Sequence, residues 1–149
     1  NRFHFEDFGS RILATVKRNK SHAALFFIDL NGFKLVNDKL GHSVGDIVLK
    51  RVAETLLDNV RQGDIVARIG GDEFAILSDQ IPNLQSLMSM LNKIREAIDN
   101  MEINEINECK ISGSVGFSYT EYHGYDLAEL LKTADNSMYG EKQEHYKNS

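Results

Sequence analysis

Residues 23–30 read AALFFIDL, an uninterrupted apolar run of strand length that ends in an acid. A run without polar alternation is how a strand covered on both faces reads, so this chain must place a layer on each side of a sheet. The remaining sequence supplies those layers. Phe5, Phe8, Ile12 and Val16 recur at helical spacing over residues 2–19, and Gly41 stops a short helix that follows the strand. Ser43 and Asp46 have capping-box spacing before a helix that reaches about Val60, with Val44, Ile47, Val48, Val52 and Leu56 on one stripe. Residues 65–69 and 74–77 are strand-like runs joined through Gly70-Gly71, a pair suited to the positive φ angles of a tight hairpin turn. After Pro82, Leu84, Leu87, Met88, Leu91, Ile94 and Ile98 predict a helix, and the polar NEINEC a connection. Residues 111–119 alternate apolar side chains with serines, the pattern of a strand with one buried face. Asp126 and Glu129 have capping-box spacing before a last helix carrying Leu127, Leu130, Leu131, Ala134 and Met138. The order α, β, α, α, β, β, α, β, α predicts an α/β fold of the α+β kind, a mainly antiparallel sheet flanked by helices with an acid-tipped β-hairpin.

A chain of 149 residues with 42 % hydrophobic content suits one domain, 1–149, around one core. The formal net charge of −5 argues against a nucleic-acid partner, which needs clustered Lys and Arg, so any phosphate must be held locally. Cys109 is the only cysteine and excludes an internal disulfide; the setting expected is cytoplasmic. The five histidines lack metal-ligand spacing, which argues against a zinc site. No apolar run is long enough to cross a bilayer, so no membrane contact is expected from this domain, although a parent protein could be membrane-anchored.

The polar residues each have an ordinary reading. Asp29 could open an Asx turn, Asn37 bond locally near a helix end, Asp46 complete a cap, and Arg61 with Asp64 form an exposed pair of little energetic weight. Asp72-Glu73 is different, because two adjacent acids beside apolar strands repel unless a cation or protons intervene. Asp29 with these two would suit a hard cation such as Mg²⁺, which takes one or two carboxylates together with substrate phosphates.

The segments FFIDLNGFKLVNDKLGHSVGD, RQGDIVARIGGDEF, SGSVGFS and ADNSMYGEK together resemble the GGDEF domain of diguanylate cyclases, and the likeness runs from Asn1 to about Lys142. The resemblance implies a palm-like fold that condenses two GTP into cyclic di-GMP and two pyrophosphates. By analogy Asp29, the Leu30 carbonyl and Glu73 bind Mg²⁺ (or Mn²⁺), and Asp72 adds a metal contact or helps deprotonate the 3′-hydroxyl. Gly32, Phe33, Lys34 and Lys142 hold the triphosphate, with Lys34 also serving catalysis. Gly71 admits the nucleotide, and Asn37 and Asp46 read guanine. A product of two nucleotides implies a homodimer, and Arg61 with Asp64 matches the family's inhibitory cyclic di-GMP site.

The likeness departs at Asn31, where the family often has aspartate, and after Lys142, where a Gly-Arg-Asn tail gives way to His145-Tyr146-Lys147-Asn148. Only Asn1-Arg2 remain of an LTGLxNR-type start, so an N-terminal sensor or dimerisation segment is expected upstream. Two alternatives stand beside the cyclase: a weak or inactive domain that binds GTP or cyclic di-GMP as a regulatory module, and a related-fold cyclase that closes a ring within one nucleotide.

Overall fold

The computed structural model describes residues 2–106 and 108–147. Asn1, Asn107 and Asn148, which the readings of the start, the connection and the tail touch, lie outside the described residues. The elements run α1 (Arg2–Arg18), β1 (Ala24–Asn31), α2 (Phe33–Leu40), α3 (His42–Asp58), β2 (Ile65–Arg68), β3 (Glu73–Ser78), α4 (Leu84–Asp99), β4 (Ser112–Tyr119), α5 (Thr120–His123) and α6 (Leu127–Lys147). The strands form a four-stranded sheet in the order β2-β3-β1-β4, and every neighbouring pair is antiparallel.

β1 is central and covered on both faces, as its unbroken apolar run requires. Ala24, Phe26, Ile28 and Leu30 belong to one core, with Val48, Val52 and Leu56 of α3 and Leu87, Leu91 and Ile94 of α4. Leu25 and Phe27 belong to the other, with Phe5, Leu13 and Val16 of α1 and Leu130, Leu131, Ala134 and Met138 of α6. Each fully buried Leu, Ile or Phe contributes about 1.5–3 kcal/mol, which is why one central strand can organise both layers.

Several expectations are corrected. Phe8, Ile47, Leu84 and Met88 are exposed rather than core, because a helix lying on a sheet buries only its inward stripe; Gly9 takes the α1 contact instead. α3 begins at His42 with Gly41 as its N-cap and no side-chain cap bond, so Ser43 and Asp46 form no capping box. The hairpin turn uses no positive φ at Gly70 or Gly71; the Ile69 N–H donates to the Glu73 carbonyl at 2.8 Å, closing a wider loop. The serine face of β4 is not solvated: Ser114 and Ser118 are buried, and the Ser118 hydroxyl donates to the Leu130 carbonyl at 2.8 Å. These small residues leave room for α6. A Cβ on Gly116 would lie 2.0 Å from the Met138 backbone nitrogen. The connection after α4 holds a 3₁₀ turn, Asn104–Ile106, anchored by buried Ile103 and Ile106.

Candidate active site

The register places the acids. Asp29 on β1 stands directly opposite Glu73 on β3 and Ser114 on β4, and the Leu30 N–H donates to the Asp72 carbonyl at 3.2 Å. Three backbones thus converge at the end of the sheet. Just beyond β1, Gly32 adopts φ 86°, and a Cβ there would sit 2.3 Å from the Lys110 carbonyl oxygen, so only glycine fits. This turn starts α2 with no side-chain cap, which leaves its first backbone N–H groups open to an anion.

Asp29, Leu30, Gly32, Phe33, Lys34, Asp72 and Lys142 all border one open cavity of about 1110 Å³. Asp29 Oδ1 is buried without a hydrogen-bond partner, while Lys142 Nζ lies 3.4 Å from Oδ2. Burial, then the Asp72 charge, raises the Asp29 carboxyl from 3.8 to about 6; Lys142 opposes the shift and Glu73 adds to it. An orphaned carboxylate oxygen, an adjacent carbonyl and a second acid are hard donors, and they fit a divalent cation. No three acidic, histidine or cysteine side chains form a ready cage among the described residues, which suits an ion completed by substrate phosphates and water.

Glu73 does not border that cavity. Its carboxylate folds over Gly70, where a Cβ would lie 2.3 Å from Oε1, and it borders a cleft of about 460 Å³ between α1 and α6 with Arg2 and Asp135. Burial, then the charges of Asp135 and Asp72, raises its proton affinity. Asn37 and Asp46 lie outside the cavity as well. The Asn37 side chain packs on Gly45, whose Cβ would meet Asn37 Oδ1 at 1.9 Å, so it shares the α2–α3 seam with neighbouring Asp46. Asp46 is exposed beside Val66, Arg68 and Phe74. Gly71 is exposed, with nothing within 4 Å of an added Cβ.

Arg61 and Asp64 sit at the opposite end of β2 from the acids. Both are engaged internally: Asp64 Oδ2 accepts from the Arg61 N–H at 2.9 Å, and the Arg61 guanidinium donates to the Gln80 carbonyl. Arg61 also borders a pocket of about 380 Å³ shared with Ser86, Ser89 and Lys93.

Sequence reasoning missed two parts of the site. Asn31 is a buried junction: its Nδ2 donates to Ser112 Oγ at 3.0 Å, and its Oδ1 accepts from Ser114 Oγ at 3.1 Å and from Lys142 Nζ at 3.2 Å. Glu141 pairs with Arg95 of α4 and accepts from the Val115 N–H at 3.2 Å, tying α6 to the edge of β4. The signal for Asn31 was its place beside Asp29; nothing local marked Arg95.

A family model described as "Diguanylate cyclase, GGDEF domain" matches residues 1–148. The chain is 34 % identical to the probable diguanylate cyclase DgcE of Escherichia coli over 143 residues, 95 % of this chain but 13 % of that protein. It also resembles the diguanylate cyclase TpbB of Pseudomonas aeruginosa, at 32 % identity over 97 % of this chain and 33 % of that protein. The chain therefore spans a minor part of these relatives. The crystal structure of the TpbB (YfiN) GGDEF domain superposes with TM-score 0.88, covering 96 % of this chain and 90 % of that one, at 32 % identity. The GGDEF domain of DgcB from Caulobacter crescentus, solved in complex with c-di-GMP, superposes with TM-score 0.84 at 26 % identity, covering 96 % and 85 %. No described helix is long and apolar enough to cross a membrane. With the family model spanning nearly every residue and the sheet carrying the signature hairpin at its acidic end, the chain belongs to the GGDEF family of diguanylate cyclase domains.

Proposed function

We propose that residues 1–149 act as one domain that binds GTP and, facing a second copy across a two-fold axis, condenses two GTP into cyclic di-GMP and two pyrophosphates. The observation that carries this reading is the orphaned Asp29 Oδ1, which borders the same cavity as Leu30, Asp72 and the uncapped start of α2. When bound, a divalent ion, Mg²⁺ or Mn²⁺, supplies positive charge to the phosphoryl oxygens. Asp29, the Leu30 carbonyl and Glu73 would hold it, with Glu73 turning from its rest over Gly70. The Gly32 and Phe33 backbone and Lys34 cradle the triphosphate, as compact cations and helix N-termini do. Asp72 either adds a metal contact or takes the proton as one nucleotide's 3′-hydroxyl attacks the other's α-phosphate and pyrophosphate leaves. Gly71 gives the nucleotide room, and Asn37 and Asp46 read guanine, one by amide and one by carboxylate. One domain holds one GTP, so each copy serves as donor and acceptor.

Arg61 and Asp64 bind the product and hold the domains apart, Arg61 first releasing the Gln80 carbonyl; that the DgcB domain was solved in complex with c-di-GMP supports product binding by such a domain. Loss of product affinity in Arg61→Ala by calorimetry is expected, and unchanged affinity would remove the inhibitory site. A GTP substrate places the reaction in the cytoplasm. The test of the activity is mass identification of products from the dimerised domain with GTP and Mg²⁺. Cyclic di-GMP is expected. Bound but unreacted GTP would establish the regulatory-module reading, and cyclic GMP the single-nucleotide cyclase.

A further inference from the structure

Lys142 already touches the oxygens assigned above to the metal. Its Nζ lies 3.1 Å from the Leu30 carbonyl, 3.2 Å from Asn31 Oδ1 and 3.4 Å from Asp29 Oδ2. Two of these contacts are hydrogen bonds and the third is an ion pair, so the ammonium is held by the site's own oxygens. In this position the ammonium is directed at the site's own oxygens rather than at a triphosphate, and two of its three partners are ones a divalent ion would claim. An ion bound at the Leu30 carbonyl repels the ammonium there, because two cations on one oxygen lie only a few Å apart.

We propose that Lys142 is the resident counter-ion of the metal-free site: ion entry evicts its ammonium from Leu30 and Asp29 and delivers it to the triphosphate, so that metal loading and presentation of the phosphate-binding charge are one linked event. This rests on the reading that Asp29 and Leu30 carry the ion. The helix itself stays in place during the exchange. Gly116 meets the α6 backbone at Met138, and Glu141, the residue before Lys142, is held by both Arg95 and the Val115 N–H. Only the flexible four-carbon stem has to turn. The Lys142 side chain is 21 % exposed, so its path leads outward into the cavity rather than through the core.

The test uses the chain without nucleotide. Lys142→Met keeps the apolar stem and removes the charge, while Lys110→Met removes a lysine that borders the same cavity but is not bonded to these oxygens. Mn²⁺ binding, read by electron paramagnetic resonance, should tighten about tenfold or more in Lys142→Met and by less than about threefold in Lys110→Met. The Mg²⁺-induced rise in Tm should be larger in Lys142→Met than in the wild type, since the ion no longer competes with a tethered cation. In the wild type, the ¹⁵N signal of the Lys142 ammonium should move when Mg²⁺ saturates. Equal tightening in both variants, unchanged or weaker Mn²⁺ affinity in Lys142→Met, an unmoved ammonium signal, or no ion binding by either wild type or Lys142→Met would each overturn the proposal. None of these readouts needs nucleotide or product, and the product assay is indifferent to where Lys142 rests before loading, so the two readings fail separately.

Discussion

Asp29 shows how much one carboxylate can be asked to do. Burial and the Asp72 charge raise it from 3.8 to about 6, so the folded, metal-free protein holds this proton more tightly than the unfolded chain does. The stability this contributes is fully present below pH 3.8 and is lost as pH rises through 6. Metal-free wild type should therefore lose about 2–3 kcal/mol relative to Asp29→Asn across that window, measured by urea unfolding at a series of pH values. Parallel pH profiles for the two proteins would show that Asp29 is not strained. The same sign makes divalent-ion affinity rise through pH 6, where the carboxylate becomes free of its proton. Gly45 is a second single-residue case. The atoms nearest a Cβ there are the end of the Asn37 side chain, so Gly45→Ala should cost little stability, the better helix propensity of alanine offsetting the shift. It should nevertheless displace Asn37 and lower GTP affinity about tenfold with a smaller effect on ATP, as a guanine-reading amide requires. Equal loss for both nucleotides would remove Asn37 from base selection.

At the scale of elements, β4 and α6 form the contact that the sequence concealed. A Cβ on Gly116 would lie 2.0 Å from Met138 N and 2.2 Å from the Ala134 carbonyl oxygen of α6, backbone atoms that cannot rotate away. Gly116→Ala should therefore destabilise the fold by about 3 kcal/mol or more, in contrast to Gly45→Ala, a difference that chemical denaturation resolves. The alternation of residues 111–119 marked a strand correctly but assigned its serine face to solvent. Periodicity records polarity, and a face built from small residues under a closely packed helix is polar in sequence yet buried in space. β1, by contrast, was legible from residues 23–28, because a run with no polar position reads as a strand covered on both faces. The hairpin's existence was legible from its two apolar runs, whereas its turn type was not: Gly70 leaves room for the Glu73 side chain that folds over it, a tertiary contact with no local pattern. The pairing of Asp29 with Glu73 depends on strand register, and spacing alone could not supply it. The Arg95–Glu141 link joins residues far apart in the chain, so nothing near either announced it.

For the whole molecule, the acids, the Gly32 turn and Lys142 gather at the end of β1, while Arg61 and Asp64 occupy the other end of β2, so a product bound at Arg61 and Asp64, as proposed, would act through the arrangement of domains and not by filling the cavity beside Asp29. A condensation that needs two facing copies should show initial rates rising with the square of domain concentration at low concentration, and linearly once dimerisation is enforced. Linear dependence throughout would mean that one copy completes the reaction. The central claim is that the carboxylate of Asp29 and the carbonyl of Leu30 hold a divalent ion against a guanosine triphosphate. Its most direct measurement is the anomalous signal of Mn²⁺ in crystals grown with a non-hydrolysable GTP analogue. The account predicts an ion peak between Asp29 and Leu30, with the triphosphate over the start of α2 and Lys142 turned toward it. An ion or nucleotide located elsewhere, with Lys142 still seated on the Leu30 carbonyl, would contradict it.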